Sequence, residues 1–121
     1  MKAFLLTTMI LCSGAGEAFA CADFSGNWQR SDGVVYHINQ TGCVVRGSVV
    51  TAFDNELTAN VTGNEALGSV TRTNLSNGCR TVMTARLTYR PDGNIEMAIL
   101  GTDGACDLLT TYSEDFIYSK I

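Results

Sequence analysis

The stretch Phe24-Ser25-Gly26-Asn27-Trp28-Gln29-Arg30-Ser31-Asp32-Gly33-Val34-Val35-Tyr36-His37-Ile38-Asn39-Gln40 decides the fold class. Ser31-Asp32-Gly33 at its centre is turn chemistry, because Gly and Asp tolerate the positive φ that a strand reversal needs. With Arg30 opposite Val34, Trp28 falls across from Tyr36, Gly26 from Ile38 and Phe24 from Gln40, so the apolar members share one face. The opposite face carries Ser25, Asn27, Gln29, Val35, His37 and Asn39 and is mainly polar. This is a β-hairpin with one dry side and one wet side.

The same punctuation continues along the chain. Turn clusters recur at Thr41-Gly42, Phe53-Asp54-Asn55, Thr62-Gly63-Asn64, Ser76-Asn77-Gly78, Pro91-Asp92-Gly93 and Thr102-Asp103-Gly104. With the first turn they divide the chain into eight short segments rich in Val, Thr, Tyr and Ile, none with a sustained helical period. Around Thr41-Gly42, Gln40 opposite Cys43 would set Ile38 against Val45, Tyr36 against Gly47 and Val34 against Val49. Arg90-Pro91-Asp92-Gly93-Asn94 reads as a hairpin loop that sets Tyr89, Leu87 and Ala85 facing Ile95, Met97 and Ile99. Leu57, Ala59 and Val61 look inward if an odd loop or a bulge sits near Asp54. Ala66 to Thr73 alternates too weakly to choose a face, and Leu108 to Tyr118 offers two inner sets. Sequential antiparallel strands must hide their edges. The expectation is therefore an all-β, eight-stranded antiparallel up-and-down barrel, with a two-sheet β-sandwich as the alternative.

The first residues read as an address. Lys2, the apolar run Ala3 to Leu11 and the small residues Ala18 and Ala20 form a cleavable signal peptide over residues 1–20, leaving a single domain over residues 21–121 that is secreted or periplasmic. Acylation of Cys21 as a lipoprotein is the other outcome weighed, but Ala18 and Phe19 do not match that signal. No later stretch has the ~20 apolar residues of a transmembrane segment. The formal net charge of −4, with Lys and Arg scattered singly, is not the footprint of a nucleic-acid-binding protein.

Cys12 leaves with the signal, so Cys21, Cys43, Cys79 and Cys106 remain as an even set in an exported domain, which reads as two disulfides. Extending the first hairpin's register brings Cys21 opposite Cys43. Extending that of the Gly93 hairpin leaves Cys79 and Cys106 one residue out of step, a mismatch that a bulge within Gly101 to Gly104 would absorb. The expected bonds are Cys21 with Cys43 and Cys79 with Cys106. The absence of a CxxC spacing and the presence of a single histidine speak against a metal site, and no cofactor is indicated.

The element Gly26-Asn27-Trp28 near the start of the first strand resembles the Gly-x-Trp of the calycins, the barrel superfamily of lipocalins, fatty-acid-binding proteins and avidins. There the Trp closes one barrel end and the interior commonly holds a small molecule. The Thr-Asp-Tyr element of lipocalins is missing, and the several Trp residues of avidin biotin sites are reduced here to Trp28. The resemblance implies a small apolar ligand, for which Phe24, Trp28, Tyr36 and Tyr89 are the candidate binding residues. An eight-stranded barrel can equally fill its interior with its own side chains. Gly26, Gly47, Ala59 and Ala85 on the inner face leave room for either outcome.

Catalytic chemistry is not legible. His37 falls on the wet face without a positioned partner, Ser and Thr lie in no nucleophile-elbow context, and the acids are scattered. The expectation is thus a non-enzyme. Asp92-Gly93-Asn94 and Asp103-Gly104 read as tight turns rather than calcium loops, and sequons at Asn39, Asn60 and Asn74 are attributable to composition. The competing function is an inhibitor or interaction module acting on an extracellular enzyme through its loops, with Asp54 to Glu56 and Leu75 to Gly78 as the contacts.

Overall fold

The computed structural model describes residues 21–121; residues 1–20, on which the expected signal peptide and Cys12 fall, lie outside the described residues. Eight strands follow in order: β1 (Gly26–Arg30), β2 (Val35–Thr41), β3 (Val44–Val50), β4 (Phe53–Thr62), β5 (Glu65–Asn74), β6 (Arg80–Tyr89), β7 (Ile95–Thr102) and β8 (Glu114–Lys120). Each pairs antiparallel with the next. The last returns to the first through Trp28–Lys120, Gln29–Ser119 and Arg30–Tyr118. That return closes the barrel, removes every sheet edge and excludes the sandwich. Among the described residues no helix is long and apolar enough to cross a membrane.

The β1–β2 register is the expected one, with Trp28 across from Tyr36 and Gly26 from Ile38. The β2–β3 register differs from expectation by two residues: Gln40 pairs with Val45 and Ile38 with Gly47, not Gln40 with Cys43. The turn is Gly42-Cys43 rather than Thr41-Gly42, with Gly42 at φ 61°. Glycine as the first central residue, alone at positive φ, is the signature of a tight hairpin turn. An even shift leaves every side chain on its expected face.

A second correction concerns β4. Phe53-Asp54-Asn55 is strand rather than turn, and Asp54 already pairs with Val50. The reversal is made by Thr51 and Ala52, and the odd number of residues between Val50 and Asp54 supplies the parity that points Leu57, Ala59 and Val61 inward. Asp54 to Glu56 is therefore part of the wall and not a projecting loop.

On β6 and β7, Tyr89, Leu87 and Ala85 face Ile95, Met97 and Ile99, and a bulge then falls between Ala85 and Thr84. Leu100 is the extra residue, just before the expected Gly101 to Gly104. Beyond it the register has slipped by one, as Cys79–Cys106 requires. Both expected disulfides are present, with Cα separations of 5.6 and 5.9 Å, inside the usual range. Two disulfides in a small domain fit an oxidising compartment.

The ends of the barrel are built differently. Turns 42–43, 63–64 and 90–94 surround one end, and residues 21–25 lie across it. Gln40 holds this crossing: its Oε1 accepts from Phe24 N–H at 2.8 Å, while Nε2 donates to the carbonyls of Ala22 at 2.9 Å and Gly42 at 3.0 Å. Ala22 N–H adds a bond to Gly63 O at 2.8 Å. Phe24 and Trp28 are fully buried beneath, with Val45, Leu57, Leu87 and Ile95. Gly68 of β5 lets this half close tightly, since a Cβ there would stand 1.9 Å from Thr58 O.

Candidate cavity at the open end

The opposite end is surrounded by the turn at Ser31–Gly33, the reversal at Thr51-Ala52, the turn at 75–78 and the long connection 103–113. Here the interior is not filled. A cavity of 400 Å³ opens between the strands, at the lower end of the range for small-molecule sites. Its apolar wall comes from Val49, Val70, Met83, Met97, Ile99 and Phe116.

Of the four candidate binding residues, Tyr36 lines this cavity. Phe24, Trp28 and Tyr89 lie together at the other end. Their rings meet edge to face, with centroids 5.7 Å apart for Phe24–Tyr89 and 5.9 Å for Trp28–Tyr89. Trp28 Nε1 donates to Phe24 O at 2.8 Å, so the indole is satisfied inside the fold. These three form a plug, which is what the sealed end requires of large aromatics with a polar handle.

Residues that the sequence reading did not single out complete the cavity. Tyr118 packs edge to face on Tyr36 at 5.8 Å, and both rings are almost wholly buried. Burial raises the pKa of each phenol above its ordinary value, strongly for Tyr36, so both are neutral hydrogen-bonding groups at neutral pH. Among the described residues the Tyr36 hydroxyl has no protein hydrogen-bond partner, whereas Tyr118 has the Arg30 guanidinium as a hydrogen-bond partner, which partly offsets the effect of burial.

Two arginines reach the cavity in different states. Arg30 is committed to Asp32, with Nε and Nη2 donating to the two carboxylate oxygens at 2.9 and 2.6 Å, and it lies over the Phe116 ring at 4.6 Å. This contact pulls the Asp32 carboxyl down to about 2. Arg72 of β5 lies over the Phe53 ring at 3.8 Å and takes part in no ion pair among the described residues. Asn55, its cross-strand partner on β4, also lines the cavity. On the far side Tyr112 donates its hydroxyl proton to Glu114.

Tyr112 is placed by the connection 103–113, which folds back on the rim. Thr102 N–H donates to Thr110 O at 3.2 Å, Thr102 Oγ1 to Leu109 O at 3.0 Å and Asp103 N–H to Val82 O at 2.9 Å. Cys106 and Asp107 sit in the left-handed region at φ 59° and 65°, and the bond to Cys79 anchors this strained corner.

His37 lies on the wet face, with Nδ1 2.6 Å from Asn27 Oδ1. Among the described residues no group of three or more His, Cys, Asp or Glu side chains is arranged to hold a metal. Comparison with protein families, curated proteins and solved structures returned no match.

Proposed function

We propose that the chain is an exported binding protein that takes a small, mainly apolar molecule into the open half of the barrel, in the manner of a calycin. The single observation that carries the reading is the 400 Å³ cavity walled by aliphatic, Met and aromatic side chains, while at the other end of the same barrel Phe24, Trp28, Val45 and Leu87 are fully buried. Apolar surface left unfilled forfeits dispersion contacts, which a ligand restores. The two disulfides and the residue 1–20 signal reading support export, and the reading assigns binding rather than catalysis.

A second reading has its own support. Val50, Leu75 and Leu109 are 66%, 57% and 74% exposed and project around the cavity mouth, a rim suited to an extracellular protein partner. Native mass spectrometry of protein taken from its source separates the two. A copurifying small molecule, lost when Val70→Phe fills the cavity, is the expected result; a copurifying hydrolase with an empty barrel would favour the second reading.

A further inference from the structure

Resting on that binding reading, we infer that the ligand carries a carboxylate that docks on Arg72 at the cavity mouth, with its apolar body directed inward toward Tyr36 and Tyr118. The state of the two guanidiniums carries the argument. Arg30 is already neutralised by Asp32 through a two-pronged contact, and its edge is consumed. The Arg72 guanidinium carbon lies over the Phe53 ring at 3.8 Å, a contact through its face, and among the described residues Arg72 is in no ion pair.

A half-buried cation on the wall of an apolar cavity carries a desolvation cost that a partner offsets. Among the described residues no carboxylate lies within ion-pair distance of it. Glu114 shares the cavity but is engaged by the Tyr112 hydroxyl on the β8 side. Asn55 stands directly opposite Arg72 across β4 and β5, and its amide adds a second donor beside the guanidinium. Charge count selects the anion. With Arg30 paired to Asp32, Arg72 and Glu114 are the remaining opposite charges lining the cavity among the described residues and formally balance, so a bound monoanion leaves the mouth at −1 and a dianionic phosphate at −2, and the smaller charge is the better accommodated.

The phenols fit the same ligand at its other end. Tyr36 and Tyr118 are neutral and nearly fully buried; Tyr118 is held by Arg30, and the Tyr36 hydroxyl, without a protein partner among the described residues, offers a hydrogen bond to a polar atom within an otherwise apolar body.

The test uses a neutral polarity-sensitive dye, N-phenyl-1-naphthylamine, displaced from the mature protein by octanoate or by 1-octanol. These probes share a chain and differ in the head group. Octanoate is expected to displace the dye at about tenfold lower concentration than octanol, since a charge-assisted hydrogen bond is worth about one decade or more in affinity. Arg72→Met should abolish that preference, and Arg72→Lys should restore part of it. Equal displacement by both probes, or an octanoate preference unchanged in Arg72→Met, overturns the carboxylate assignment and leaves the binding barrel standing. A protein that binds neither dye nor probe overturns both. The comparison in the unmodified protein needs no variant to fold.

Discussion

The two ends of this barrel have the same strand geometry and opposite designs. At the sealed end, Trp28, Phe24 and Tyr89 are locked edge to face, the indole N–H is satisfied at 2.8 Å, and the crossing segment is tied by Gln40 and the Cys21–Cys43 bond. At the open end the aromatics line a wall instead of filling it, and among the described residues Arg72 is in no ion pair and the Tyr36 hydroxyl has no protein hydrogen-bond partner. Filling and bonding make a fold; the groups held back make a site. Large aromatics alone do not distinguish the two, because both ends are rich in them.

The greatest expected difference is in stability. Trp28→Ala removes a fully buried indole from a filled region and should cost about 3–5 kcal/mol in a denaturant melt. Phe116→Ala, which faces open cavity, should cost only about 1 kcal/mol. Equal losses would mean that the ends are packed alike.

The disulfides sharpen the contrast. Serine pairs at Cys21/Cys43 and at Cys79/Cys106 should each cost about 3 kcal/mol, since the bridged residues are 22 and 27 apart. Only the second pair should alter dye affinity, because Cys106 anchors the connection that places Tyr112 at the mouth. A change in affinity on removing the Cys21–Cys43 bond instead would break the comparison.

The smallest effect is one of pH. Tyr36 and Tyr118 have folded-state pKa values raised by burial above the unfolded phenol value of about 10. The stability they contribute as neutral groups is complete below about pH 10 and is lost as pH rises toward the folded values. Melts at increasing alkalinity should show the midpoint falling more steeply in the natural protein than in Tyr36→Phe. Parallel curves would place the Tyr36 phenol in water.

Most of the sealed end was legible in the sequence and most of the open end was not. Alternation around Ser31-Asp32-Gly33 places Trp28 opposite Tyr36 because a tight turn and a one-sided sheet leave one register. At the next hairpin the two-residue shift is invisible to the same reasoning, since it exchanges no faces. The β5 strand looks ambiguous because its inner positions are Ala66, Gly68, Val70 and Arg72: small residues and a charge. Binary patterning assigns a charged residue to the outside, so Arg72, central to the site, is the residue it is least able to place. Tyr112 depends on the fold of 103–113, which carries no period, and Phe116 and Tyr118 lie where two inner sets compete.

The central claim is that one half of the barrel is empty and receptive while the other is full. Methyl NMR under xenon pressure tests it directly, because xenon enters apolar cavities and leaves packed cores alone. Shifts are expected at the methyl groups of Met83, Met97, Val70 and Ile99, with none at Leu87 and Ile95. Shifts at Leu87 and Ile95, or none at Met83 and Met97, would contradict the account.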